Sequence, residues 1–210
     1  MKEQTVKKRT GYLFAKRCFD IFCSLLAIIL LSPIFLILMA IVKLTSEGPV
    51  FYSHKRIGKY GKEIGILKFR SMFANAEEMK KNFTPEQKKE YEENFKLEND
   101  PRVTKVGKFL RKSSLDELPQ LFNILIGTIS IVGPRPITYE ETLKYGEDRD
   151  LLLSVKPGLT GLWAANGRSD VSYDERIRLE LQYVRECSFW FDIKIIFQTV
   201  FAVLKGKGAK

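Results

Sequence analysis

Apolar and polar positions divide this chain into unequal stretches. Residues 1–17 are polar and basic, with Lys2, Lys7, Lys8, Arg9, Lys16 and Arg17. Ile21–Val42 then runs for 22 residues without a charge. At about 1.5 Å per residue, a helix of that length reaches the roughly 30 Å of a bilayer's hydrocarbon core. The run is long for a signal peptide, and no small-residue cleavage site follows it. Residues 50–55 are β-rich, Lys59-Tyr60-Gly61-Lys62 reads as a turn, and 64–72 as a second strand, which predicts a small hairpin. Residues 74–98 are charged and helical in character, with Thr84-Pro85-Glu86-Gln87 as a capped start, and Asn99-Asp100-Pro101 breaks them. Leu118, Leu121, Phe122 and Leu125 recur at helical spacing behind Pro119, so a helix is predicted to begin near 114–116. Residues 139–150 and 173–183 also read as helical, with Arg176 and Glu180 as an i,i+4 pair of structural type. Phe189 to Leu204 is apolar and aromatic and is followed by Lys205 and Lys207. That pattern predicts an interfacial helix, with a buried core helix as the competing reading; Asp192 and Lys194 argue against a second span.

Two topologies suit the long apolar run. A single helix could span the bilayer. Alternatively, a re-entrant hairpin broken at Ser32-Pro33 could enter and leave on one side. Basic residues flank both ends: Lys16 and Arg17 before, then Lys43, Lys55, Arg56 and Lys59. Positive flanks prefer the cytoplasmic side, which favours the hairpin.

Charge narrows the partners. Lys and Arg number 35 against 25 Asp and Glu, a net charge of +10. That balance points to phosphate-bearing partners without choosing among nucleotides, anionic lipid and nucleic acid. Cys18, Cys23 and Cys187 have no metal or disulfide spacing, and His54 is the sole histidine, so a histidine metal site or serine triad is excluded.

The chemistry concentrates in Arg111-Lys112-Ser113-Ser114-Leu115-Asp116-Glu117-Leu118-Pro119-Gln120. A helix start would keep the carboxylates of Asp116 and Glu117 ionised and attract phosphate. A carboxylate beside a phosphate suggests phosphoryl chemistry with an aspartate nucleophile. The plainer reading is a capping box, Ser114 with Glu117. On the second strand, Lys68 and Arg70 fall on one face by period two and could hold a diphosphate, or form a solvated edge. Pro134 and Pro136 bracket Arg135, which suits a rigid phosphate clamp as well as a structural turn. Pro157-Gly158-Leu159-Thr160-Gly161-Leu162-Trp163 and Asn166-Gly167-Arg168 lack a P-loop ending; Thr160, Gly161, Trp163 and Arg168 could contact a base or sugar.

In order, Lys68-Phe69-Arg70-Ser71-Met72, Ser113 to Gln120, Val132-Gly133-Pro134-Arg135-Pro136 and Lys156 to Gly161 resemble the bacterial sugar transferases, the monotopic phosphoglycosyl transferases acting on polyprenyl phosphate. The resemblance runs from about Lys16 to the C-terminus and matches the minimal catalytic form, without extra N-terminal transmembrane helices. It implies an α/β, mostly helical cytosolic domain with a small strand hairpin, a re-entrant membrane hairpin and interfacial amphipathic helices. The implied division is a basic segment 1–17, a membrane hairpin 18–45, a catalytic domain 46–188 with an exposed helical insertion at 74–98, and an interfacial helix and tail 189–210. It implies a UDP-sugar and undecaprenyl phosphate as substrates, Mg²⁺ as cofactor, and a place on the cytoplasmic face of the bacterial inner membrane. Asp116 would attack the sugar-linked phosphate with loss of UMP, and the lipid phosphate would then attack the adduct. Glu117 would be metal ligand or base, with Asp116 also near the metal; Lys68, Arg70, Arg111 and Arg135 would contact phosphates. The product would feed downstream glycosyltransferases in exopolysaccharide, capsule, O-antigen or glycoprotein glycan synthesis, and a homo-oligomer is compatible. Where many members carry a glutamine after the loop tryptophan, this chain has Ala164-Ala165, so the sugar stays open.

Two rivals stand beside this reading. A non-catalytic, basic membrane-surface adaptor explains the charge and both apolar ends, yet gives no reason for Asp116-Glu117. A nucleic-acid binder is disfavoured, since the cations are scattered among acids with no recognised motif.

Overall fold

A computed structural model of the chain describes residues 2–94, 97–167 and 171–204. The elements in order are helix α1 (Lys2–Thr45), strands β1 (Phe51–Ile57) and β2 (Glu63–Phe69), helices α2 (Ala76–Met79), α3 (Pro85–Asn94), α4 (Lys105–Lys112) and α5 (Gln120–Ile126), strand β3 (Ser130–Val132), helices α6 (Tyr139–Leu143) and α7 (Arg149–Leu152), strand β4 (Gly158–Thr160), and helices α8 (Leu162–Ala165), α9 (Tyr173–Glu186) and α10 (Phe189–Leu204). Helices dominate, and β1 and β2 form the expected hairpin across a 3-10 turn at Lys59–Gly61. A second pair was not foreseen. β3 and β4 run parallel, with Ser130 beside Gly158 and Val132 beside Thr160. Three-residue strands are too short to show a period of two.

The chain forms two compact units. The first takes the chain up to Leu31, Ser53–Leu67 and the part from Gln120 onward. Its core is Val132, Leu162, Leu179, Tyr183, Val184 and Ile195, with a second cluster of Ile137, Tyr145, Leu152 and Leu181. Polar residues of α1 are built into this unit. Buried Asp20 accepts hydrogen bonds from the Ser130 hydroxyl at 3.1 Å and the Ile131 amide at 3.0 Å. Arg17 donates to the carbonyls of Ile124 and Leu125, each at 2.7 Å, and so caps α5. Gly127, at φ +95°, leaves room for that guanidinium, whose carbon a Cβ would meet at 3.0 Å. Lys16 lies 2.6 Å from buried Asp192, which also accepts from the hydroxyls of Tyr12 and Tyr183, both at 2.8 Å. The basic residues before the apolar run are therefore structural partners as well as flanking charges. α10 buries Asp192, Ile195 and Ala202 while Trp190, Phe197 and Phe201 stand exposed.

The second unit holds Ser32–Tyr52 and Lys68–Pro119. Phe35, Leu38 and Val42 of α1 are buried there with Phe69 and Leu110. The Phe69 ring lies 5.7 Å from that of Phe35 and 5.4 Å from that of Phe51. The charged segment after residue 74 is anchored by buried Phe83 and Leu97, and Arg102, paired with Asp100, lies over the rings of Phe83 and Tyr91. The Thr84–Gln87 capping box forms as expected.

The expected break at Ser32-Pro33 is absent. Both residues lie inside one continuous helix, and Leu31 and Ser32 fall in different units. Splitting an apolar helix leaves up to four donors and four acceptors unpaired at the new ends. Proline removes a single donor, which a helix in lipid tolerates. From Thr10 to Thr45 the helix has a mean hydropathy of 3.1 over its most apolar window, long and apolar enough to cross a membrane.

α4 starts at Thr104, whose hydroxyl accepts from the Gly107 amide at 2.8 Å. A Cβ at Gly107 would sit 1.9 Å from the Ser71 carbonyl oxygen. Alanine favours a helix over glycine by about 1 kcal/mol, yet overpacking against backbone costs roughly 1–3 kcal/mol or more. Gly107→Ala is therefore expected to lower the melting temperature by several degrees, where helix propensity alone predicts a rise.

Candidate active site

The Asp116 region is built differently from the helix start anticipated for it. α4 ends at Lys112, and the Ser113 hydroxyl closes it by donating to the carbonyls of Phe109 at 2.8 Å and Leu110 at 3.1 Å. Ser114 takes the left-handed conformation, φ +57°, and its side chain caps nothing, so the Ser114–Glu117 capping box does not form. A left-handed non-glycine residue costs on the order of 1 kcal/mol, a strain that clusters at functional sites. Leu115–Glu117 is a single 3-10 turn, and α5 begins only at Gln120, because Pro119 has no N–H for the ladder.

The turn buries Asp116 at 5 % exposure and leaves Glu117 half-buried. Lys68, near the end of β2, reaches both carboxylates. Its ammonium is 2.6 Å from Glu117 Oε1 and 3.7 Å from Asp116 Oδ2. Arg111 is exposed on the last turn of α4, and its Nε donates to the Ser71 hydroxyl at 2.9 Å. Burial pushes the Asp116 carboxyl above the usual range; Lys68 and Arg111 pull it back and Glu117 pushes it further up. The helix start expected to favour the ionised carboxylate is thus replaced by a turn whose burial opposes it. A three-residue turn has too few aligned peptides for a helix dipole to offset burial.

Two adjacent carboxylates are a donor set for Mg²⁺, which takes one or two carboxylates and completes its shell with water and phosphate oxygens. Among the described residues no three His, Cys, Asp or Glu side chains converge, so any metal here would share its coordination with substrate.

Arg70 does not share the face of Lys68. β2 ends at Phe69, and Arg70 is buried with its guanidinium on the carbonyls of Val42, Ser46 and Pro49. Its donors serve the end of α1, which leaves the predicted diphosphate contact without an exposed group.

The other candidates belong to the first unit. Arg135 is exposed between its prolines, its guanidinium 5.3 Å from the Trp163 ring centre. Its backbone N–H donates to Glu180 Oε1 at 3.2 Å. Glu180, almost fully buried, also accepts from Arg176 at 3.3 Å and from the Tyr145 hydroxyl. Arg176 covers the Trp163 ring from 5.0 Å. The Arg176–Glu180 pair is structural as read from spacing, and it further holds the Arg135 loop, which spacing could not reveal. Thr160 bonds the Thr199 hydroxyl at 2.7 Å, and Gly161 packs on the Gly133 carbonyl, where a Cβ would lie at 2.2 Å. The Thr160 hydroxyl thus ties β4 to α10, and Gly161 lets the chain after β4 pack against the chain after β3. Arg168 lies outside the described residues.

Comparison with known proteins assigns the chain. Residues 11–206 match the model of the bacterial sugar transferases. The chain belongs to that family. It is 48 % identical over 200 residues to the undecaprenyl-phosphate galactose phosphotransferase of Salmonella typhimurium, covering 93 % of this chain and 42 % of that protein. The exopolysaccharide production protein ExoY of Rhizobium meliloti is 46 % identical over 198 residues, covering 93 % of this chain and 88 % of ExoY. The UDP-glucose:undecaprenyl-phosphate glucose-1-phosphate transferase of Escherichia coli is 43 % identical, covering 92 % of this chain and 41 % of that protein. This sugar transferase thus spans about two fifths of the first and last of these relatives.

A carboxyl with a raised folded-state pKa supports folding only while protonated. That support is complete below the unfolded value of about 3.9 and is lost as pH rises through the folded value. At neutral pH the ionised Asp116 therefore costs stability. Asp116→Asn, neutral and of equal size, is expected to raise the melting temperature at pH 7.5 by roughly 2–4 °C, the effect of about 1 kcal/mol in a chain of this length. The gain should vanish below about pH 4. A lower melting temperature at pH 7.5 would contradict the burial argument.

Proposed function

We propose that this sugar transferase moves a sugar-1-phosphate from a UDP-sugar to undecaprenyl phosphate. The supporting observation is the strained turn that buries Asp116 and sets Lys68 against both carboxylates. Asp116 attacks the phosphorus that carries the sugar, and the bond to UMP breaks. The lipid phosphate oxygen then attacks the same phosphorus, the bond to Asp116 breaks, and a polyprenyl-diphosphate-sugar leaves. Glu117, more open to water than Asp116, serves as base or orienting group for the second step. Lys68 and Arg111 balance the phosphate charge. When bound, Mg²⁺ at Asp116 and Glu117 would neutralise the diphosphate. The relatives' names carry galactose and glucose, and α8 retains Ala164-Ala165, so the donor sugar is left open. A membrane adaptor would give Ser114 no reason to be strained or Asp116 to be buried.

The reading includes a re-entrant α1 at the cytoplasmic face. Both ends of the helix are hydrogen-bonded to polar chain: Tyr12, Lys16, Arg17 and Asp20 at one end, and Arg70 on the carbonyls of Val42 and Ser46 at the other. Between them Phe22, Ile29, Leu30 and Leu36 are exposed apolar surface for lipid. A proline bends a helix without ending it. The exposed Trp190, Phe197 and Phe201 suit the headgroup level. In a variant without native cysteines, Gly11→Cys and Lys55→Cys should both resist an impermeant maleimide in intact cells and react after lysis. Labelling of Gly11→Cys alone in intact cells would establish a spanning helix instead.

Mixed with UDP-sugar and Mg²⁺ but no lipid acceptor, the wild-type chain is expected to gain the mass of a phosphosugar and release UMP once. Asp116→Asn should gain none. Turnover that never shows the adduct, with UMP release strictly dependent on lipid phosphate, would assign direct attack to the lipid and a lesser role to Asp116.

A further inference from the structure

The second unit contains a continuous link from the membrane helix to the reacting carboxylates. Four consecutive side chains make it. Lys68 bonds Glu117 at 2.6 Å and approaches Asp116 to 3.7 Å. Phe69 is buried against Phe35 of α1. Arg70 donates to the Val42 carbonyl at 3.1 Å, to the Ser46 carbonyl and hydroxyl at 2.6 and 2.8 Å, and to the Pro49 carbonyl. The Ser71 hydroxyl accepts from Arg111. Gly48, at φ +113°, is shaped around the same guanidinium, since a Cβ there would lie 2.8 Å from Arg70 Nη1.

We propose that Arg70 is a positioning residue. It fastens the C-terminal end of α1 to the end of β2 and thereby sets Lys68 and Ser71, and through them the Asp116–Glu117 turn and Arg111. The argument is geometric. The last carbonyls of a helix need donors, and one planar guanidinium supplies them for α1 and the loop after it. Arg70 is 7 % exposed, so its side chain is spent on this task and does not face a ligand. Adjacent residues of an extended chain cannot shift independently. A displaced Arg70 must carry Lys68 with it, and misplacement near 1 Å at a reacting group can cost about a hundredfold in rate. The consequence is that bending or tilting of the membrane helix is felt at the carboxylates. This inference rests on the reading of Asp116 as the reacting group.

The experiment uses the full chain in nanodiscs. Arg70→Gln is expected to lower kcat at least about tenfold with KM for the UDP-sugar within about twofold, the pattern of a lost transition-state arrangement. Arg70→Lys should restore part of kcat. Gly48→Ala, which touches no substrate, should lower kcat in the same way, and the double variant should be no slower than Arg70→Gln, since both act through one contact. Amide exchange at Glu117 and Leu118, whose N–H groups close the turn, should quicken in both single variants while β3 and β4 stay protected. If Arg70→Gln does not fold, Gly48→Ala carries the same two readouts. A rise in KM at constant kcat would make Arg70 a substrate contact, and multiplying effects or unchanged exchange would remove the coupling; each overturns the proposal. If the wild-type chain turns over no UDP-sugar, the enzymatic reading has failed, and exchange alone then decides whether Arg70 sets the turn.

Discussion

An ionised carboxylate with almost no water around it needs a cation within reach, and for Asp116 the nearest is Lys68 at 3.7 Å. At that distance and an effective dielectric near 20, the attraction is about 4 kcal/mol. It offsets burial only in part, because the Asp116 carboxyl is still raised. The surrounding construction follows from keeping that cation in place. β2 delivers Lys68, Phe69 locks the strand end into the apolar core of the second unit, and Arg70 ties it to the C-terminal end of α1. Remove the fixed strand end, and a four-carbon lysine stem would hold neither carboxylate for long.

Much of this was legible in the chain. The apolar run, the β1–β2 hairpin, α9, α10 and the Thr84 cap were set by local patterns, and local patterns survive folding. The Asp116-Glu117 pair stood out from residue type and order, but Lys68 and Arg111 were expected as phosphate contacts; that Lys68 pairs with both carboxylates appears only in the fold. What failed had a common cause. Period two placed Arg70 beside Lys68, but the strand ends at Phe69, and whether a cation faces solvent or a helix end depends on a segment more than twenty residues away. Ser114 matched a capping box in type and spacing, yet a cap needs an extended backbone, and this serine is left-handed. The role of Glu180 under the Arg135 loop is a contact over 45 residues, which no spacing rule addresses. The sequence offered Gly161 as a base or sugar contact; what it could not show is that Gly133, Gly158 and Gly161 let the β3 and β4 backbones pack closely.

Pro33 shows how the solvent changes the meaning of a residue. In water a proline within a helix is a break signal, since freed backbone groups can turn to solvent. In hydrocarbon there would be nothing to turn to, and the continuous α1, apolar enough to cross a membrane, is the form such a solvent favours. In the first unit Asp20 and Arg17 of α1 are bonded to the chain around β3 and α5, and in the second unit Arg70 bonds the last carbonyls of the helix.

The site of Asp116 on a 3-10 turn has a chemical consequence that a helix start would not have. A helix dipole would hold the carboxylate ionised by lowering its pKa, and with it its basicity. Burial does the reverse: the anion becomes less stable, more basic and less hydrated, which in the proposed reaction would make it a better nucleophile toward phosphorus. Lys68 limits how far this goes, since an aspartate pushed too high would be protonated and inert at neutral pH. The turn therefore sits between two failures, a carboxylate too comfortable to react and one too uncomfortable to ionise.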